Sequence, residues 1–137
     1  DTNILLYLIS IDMLEDFFSL PCDFATTDFV ISEIIQPAQI KAIEKYTKLK
    51  KLDIVSFSFE EIIEITDIHS KNTNNASITD CSVWYYAKKT GGRLLTGDGK
   101  LRKSAEGNNV KVSGILYIFV AYSRISDFLR VKSASSP

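Results

Sequence analysis

The sequence predicts an α/β domain in which a central, mostly parallel sheet is flanked by helices. Three observations carry that reading. Short runs rich in β-branched and aromatic residues, at 24–26, 52–57, 93–96 and 110–112, alternate with longer stretches of helical periodicity. Capping residues and glycine or proline breaks stand where one pattern gives way to the next. The 137 residues contain no linker, repeat or low-complexity segment. One domain therefore suffices, and a chain of this length buries roughly two-thirds of its unfolded surface.

Asp1 or Thr2 caps an opening helix with apolar Ile4, Leu5 and Leu8, and the periodicity continues through Met13, Leu14, Phe17 and Phe18 until Pro21 ends it. After the strand at 24–26, Asp28 is the expected cap of a helix over 29–35 that turns Phe29, Val30, Ile34 and Ile35 inward. Pro37 suits the first position of a helix over 38–50, with Ile40, Ile43 and Leu49 inward and its lysines outward. A strand at 52–57 leads to Ser58 and Glu61, whose spacing is that of a capping box for a helix over 59–68. Residues 69–76, H-S-K-N-T-N-N-A, read as a polar loop.

The stretch from Ser77 to Lys103 is the densest in signals. Ser77 opens a helix over 77–90, Gly91 and Gly92 break it, 93–96 forms a short buried strand, and Gly97-Asp98-Gly99 opens a second helix over 100–106. Trp84, Tyr85 and Tyr86 cover nearly every direction around their helix, so one of them is expected to face away from the core. A strand at 110–112, helices over 115–122 and 125–131, and a frayed tail at 132–137 complete the chain.

The formal net charge of −1 excludes the whole-molecule attraction for nucleic acid that a strongly basic domain has. Any phosphate contact must be local. Lys41, Lys45, Lys48, Lys50 and Lys51 read as a solvated helix face, while Lys88, Lys89, Arg93, Lys100, Arg102 and Lys103 flank Asp98. Cys22 and Cys81 have no metal-binding spacing and read as free thiols of a reducing, cytoplasmic setting. The apolar run at 4–11 is too short to span a bilayer, and no membrane association is expected. The sequence lacks an initiator Met and reads as part of a longer chain. His69, the single histidine, has no partner near it in sequence and reads as a solvated loop residue.

Four acids stand at corresponding places: Asp1 and Asp80 at helix starts, Glu33 in a short helix after a strand, and Asp98 directly after a strand. Singly, each has an ordinary explanation. Ser77 and Asp80 fit a capping box, and Asp98 between two glycines suits a turn or an N-cap. Together they carry another, because ligands of open α/β sheets bind beyond the carboxyl ends of the strands, where such positions converge. A carboxylate cluster without Cys or a useful His suits Mg²⁺ or Mn²⁺ and not zinc. Carboxylates so placed repel one another, and a bound cation would keep them ionised and stabilise the fold.

The segments D-T-N-I-L-L, T-T-D-F-V-I-S-E-I, S-I-T-D-C-S-V-W-Y-Y-A, L-L-T-G-D-G-K-L-R-K-S-A and V-K-V-S-G-I-L, in that order, resemble the PIN-domain family, which includes VapC-type toxin ribonucleases. The resemblance runs from Asp1 to about Phe128 and implies a three-layer sandwich. It matches Asp1, Glu33, Asp80 and Asp98 to the family's acidic quartet, as catalytic residues and metal ligands, and Thr2, Asn3 and Thr96 to the polar residues beside it. The implied activity is a Mg²⁺- or Mn²⁺-dependent endoribonuclease that hydrolyses phosphodiesters with metal-activated water. RNA is then the substrate, guided by Lys100, Arg102 and Lys103, and an antitoxin protein or a second copy of the chain is the expected partner. Because the family's first strand precedes its first Asp, the resemblance implies a single domain over 1–131 whose first strand lies upstream of Asp1. The alternative keeps the fold without catalysis, as a module that binds nucleic acid or protein. A receiver-like signalling domain fits poorly, since Asp53 opens its strand instead of closing it.

Overall fold

In the computed structural model, which describes residues 2–71, 75–97, 109–114, 116 and 120, strands and helices alternate as the sequence predicts. The order is α1 (Thr2–Ser10), α2 (Leu14–Phe18), β1 (Phe24–Thr27), α3 (Asp28–Ser32), α4 (Pro37–Lys48), β2 (Leu52–Val55), α5 (Phe59–Lys71), α6 (Ile78–Thr90), β3 (Leu94–Leu95) and β4 (Val112–Ser113). β1 pairs in parallel with β2, Phe24 opposite Leu52 and Thr27 opposite Val55. Parallel pairing requires a crossover, which α3 and α4 supply. β3 pairs in parallel with β4, Leu94 opposite Val112. The described strands thus form two two-stranded parallel sheets with helices packed on them.

α6 is the central helix. It contacts α3, α5, β1 and β3, and it buries Cys81, Ser82, Val83, Trp84, Tyr85 and Ala87. Trp84 and Tyr85 are both buried and Tyr86 half-buried, so none of the three faces solvent freely as expected. Neighbours on several sides claim the whole circumference, which a one-face amphipathic reading does not anticipate. Its ends follow the sequence: Ser77 caps the start, and Gly91 ends the helix at φ 71°, a left-handed conformation that glycine adopts without strain.

Elsewhere local chemistry shifts the boundaries. The first helical stretch divides at Asp12, which takes φ 56°, and α2 turns Phe17 and Phe18 onto Phe24 and Tyr46. Ring centroids there lie 4.3 Å apart for Phe17–Phe24 and 4.7 Å for Phe18–Tyr46. Breaking the helix brings both rings to one cluster. Thr27, not Asp28, caps α3, its hydroxyl accepting the Val30 N–H at 3.3 Å. α3 ends at Ser32, so Ile34 is buried while Ile35 leaves the helix and is 80% exposed. Pro37 opens α4 as expected; Tyr46 joins Ile43 inside, and Leu49, past the helix end, is exposed.

α5 starts with the predicted capping box, Ser58 N to Glu61 Oε1 at 2.9 Å and Glu61 N to Ser58 Oγ at 3.2 Å. It then runs through Lys71, aided by the Lys71–Asp67 pair at 3.0 Å, and so takes His69 out of the expected loop. Only Ile65 is fully buried; Phe59, Ile62 and Ile63 are exposed. β2 is shorter than expected, β3 is confined to Leu94–Leu95, and β4 lies one to two residues further on. Leu116 and Val120 are helical, within the helix expected over 115–122. The helices expected at 100–106 and 125–131 and the tail at 132–137 lie outside the described residues. None of the described helices is long and apolar enough to cross a membrane.

Between the two sheets lies a cavity of about 290 Å³. β1 and β3 border it, with Ile4 and Leu5 of α1, Phe17 of α2 and Val83 of α6 also in its wall.

Candidate acidic site

Glu33 owes its position to the cap of the preceding helix. Thr27 ends β1 in extended conformation and caps α3, and after the five helical residues Glu33 is the C-cap. Its exposed carboxylate accepts a hydrogen bond from the buried Thr2 hydroxyl, Oγ1 to Oε2 at 2.9 Å. The start of α1 and the end of α3 therefore meet through side chains separated by 31 positions. Asn3 follows on α1 and is exposed.

Asp80 stands in the first turn of α6, half-buried. Both halves of the capping box are present: Asp80 N–H donates to Ser77 Oγ at 3.1 Å, and Ser77 N–H donates to Asp80 Oδ2 at 3.2 Å. Asp80 thus has the structural role that its spacing predicts, and a negative charge there is favoured by the helix dipole. Two residues on, Ser82 reaches back to the α3 cap: Thr27 Oγ1 and Ser82 Oγ are 2.8 Å apart and fully buried. Sequence reading assigned no role to Thr27 or Ser82. The available signals are a hydroxyl three residues before Val30 and a serine within an otherwise apolar helical run.

Thr96 lies buried just past β3, where its N–H donates to the Ser113 carbonyl at 3.1 Å. Asp1, Asp98, Lys100, Arg102 and Lys103 lie outside the described residues. Two of the four predicted acids, Glu33 and Asp80, are described, and no cluster of three or more His, Cys, Asp or Glu occurs among the described residues. Each of these two carboxylates commits one oxygen to a neighbour, Oε2 to Thr2 and Oδ2 to Ser77. Hard oxygen donors tied on one side and accompanied by hydroxyls fit Mg²⁺ or Mn²⁺.

A second ionic cluster lies between α5 and α6. Lys89 donates to Glu61 at 2.7 Å, and Tyr85 donates to Glu64. The Lys89 hydrogen bond, with further help from the Ser58 amide, holds the Glu61 carboxyl down at about 2. Glu61 in turn raises Lys89, and Glu64 raises Tyr85. Its partners are all satisfied within it, as in a strut between helices.

The described residues form a parallel α/β unit with Glu33 at the end of α3 and Asp80 in the first turn of α6. The sequence model of one family, described as a PIN domain, matches residues 1–133. The chain belongs to the PIN-domain family. PIN domains are typically nucleases and generally use divalent metals. No curated protein matches the chain.

Proposed function

We propose that the chain is a divalent-metal-dependent endoribonuclease. The observation that carries this reading is the Thr2–Glu33 hydrogen bond, which draws the first two segments of the resemblance together at the end of α3. Asp1, Glu33, Asp80 and Asp98 would hold Mg²⁺ or Mn²⁺, with Thr2, Asn3 and Thr96 orienting them. Such an ion supplies Lewis acidity and lowers the pKa of water so that it can attack a phosphodiester near neutral pH. Thr2 keeps one Glu33 oxygen aimed, and Ser77 does the same for Asp80. Lys100, Arg102 and Lys103 would guide the RNA backbone, which makes binding sensitive to salt. The domain would span 1–131, act in the cytoplasm, and be held in check by an antitoxin protein or pair with a second copy.

Cleavage of a labelled RNA in Mg²⁺ or Mn²⁺ tests the reading. Asp80→Asn should lose activity by about a hundredfold or more, since changes beyond the ligands themselves already cost about ten- to a hundredfold. Ser77→Ala should lose about 1 kcal/mol of stability as a missing cap yet keep most of the activity. Equal cleavage by parent and Asp80→Asn would remove the assignment. The completed Ser77–Asp80 box favours a second reading, a PIN-like binding module without catalysis, since it explains Asp80 without chemistry. Metal-independent RNA binding with no cleavage would select it.

A further inference from the structure

The buried hydroxyls of Thr27 and Ser82 form a chain whose direction follows from counting protons. Ser82 has one hydroxyl proton and donates it to the Thr79 carbonyl at 2.6 Å. The contact between Thr27 and Ser82 at 2.8 Å therefore uses the Thr27 proton, with Ser82 as acceptor. Thr27 in turn accepts the Val30 N–H at 3.3 Å. The relay runs one way, from the Val30 amide through Thr27 and Ser82 to the Thr79 carbonyl.

Each link has a bearing on the acids. Val30 lies within α3, whose C-cap is Glu33, and Thr79 immediately precedes Asp80 in the first turn of α6. Both hydroxyl residues are 0% exposed, so water cannot replace a lost partner. The relay also joins elements that are distant in sequence, across 55 positions at the Thr27–Ser82 contact. Backbone and apolar packing set the approximate distance between α3 and α6. A chain of directional bonds adds the rotation of one helix about its axis relative to the other, on which the aim of short acidic side chains depends.

We infer that Thr27 and Ser82 are positioning residues that fix Glu33 and Asp80 relative to each other and so set the affinity of the acidic site for divalent ions. The inference rests on the metal-site reading above. Neither residue touches the ion; both act through the helices that carry its ligands.

The test is Mn²⁺ titration by calorimetry, paired with thermal melts in the absence of metal, on the parent, Thr27→Val, Thr27→Ser, Ser82→Ala and Ile65→Val. Thr27→Val keeps the shape and removes the hydroxyl, and it should weaken Mn²⁺ binding by about tenfold or more, the scale of outer-shell changes. Ser82→Ala, a smaller change to the fold, should do the same. Thr27→Ser restores the hydroxyl and should bind within about threefold of the parent. Ile65→Val, a core change that keeps both hydroxyls, should lower the melting temperature with no change in Mn²⁺ affinity. Parent-like affinity in Thr27→Val or Ser82→Ala, or a loss in Ile65→Val matching theirs, overturns the positioning role alone. A parent without saturable Mn²⁺ binding overturns it together with the metal-site reading.

Discussion

Glu61 has two duties that can be separated. It accepts the Ser58 amide as half of a capping box, and it pairs with Lys89 across the α5–α6 contact. The pairing lowers its carboxyl from an ordinary 4.5 to about 2. A depressed folded-state value means that the linked stability is fully present above about 4.5 and disappears as the pH falls through about 2. Glu61→Gln keeps an oxygen for the Ser58 amide but loses the charge. Melts at pH 7, 4.5 and 3 should therefore show the parent losing melting temperature between 4.5 and 3 more steeply than the variant. Because the pair is partly exposed, the difference should shrink at high salt. Identical slopes would mean that Lys89 gives Glu61 no net support. The cap that Asp80 makes is visible in the sequence as S-x-x-D, whereas the metal role proposed for it would have no such local sign. A cap is local and leaves a spacing signature; a shared ion is long-range and leaves none.

Signals confined to a few residues, such as the Ser58 and Ser77 boxes, Pro37 at the start of α4 and the glycine end of α6, translate directly into the described helices. Features decided by tertiary contact were not legible. The division of the first helix at Asp12 follows from where Phe17 and Phe18 must pack, and the Thr27 cap depends on a serine 55 residues away.

At the scale of the molecule, alternation of strands and helices was enough to predict a parallel α/β domain, and the family match over residues 1–133 agrees with the order of motifs read along the chain. The sequence named the candidate acids by residue type and order, and of the four Glu33 and Asp80 lie among the described residues. What the sequence could not convey was the apparatus between the acids: the Thr2 hydroxyl on Glu33 and the buried relay from α3 to α6. Those contacts depend on side-chain direction across elements, and no periodicity reports it. The central proposal is that Asp1, Glu33, Asp80 and Asp98 together hold divalent metal. Anomalous diffraction from crystals grown with Mn²⁺ tests it most directly. The account predicts one or two strong peaks about 2 Å from carboxylate oxygens, with at least three of the four acids involved. Well-ordered acids lying apart, with no Mn²⁺ between them, would contradict it.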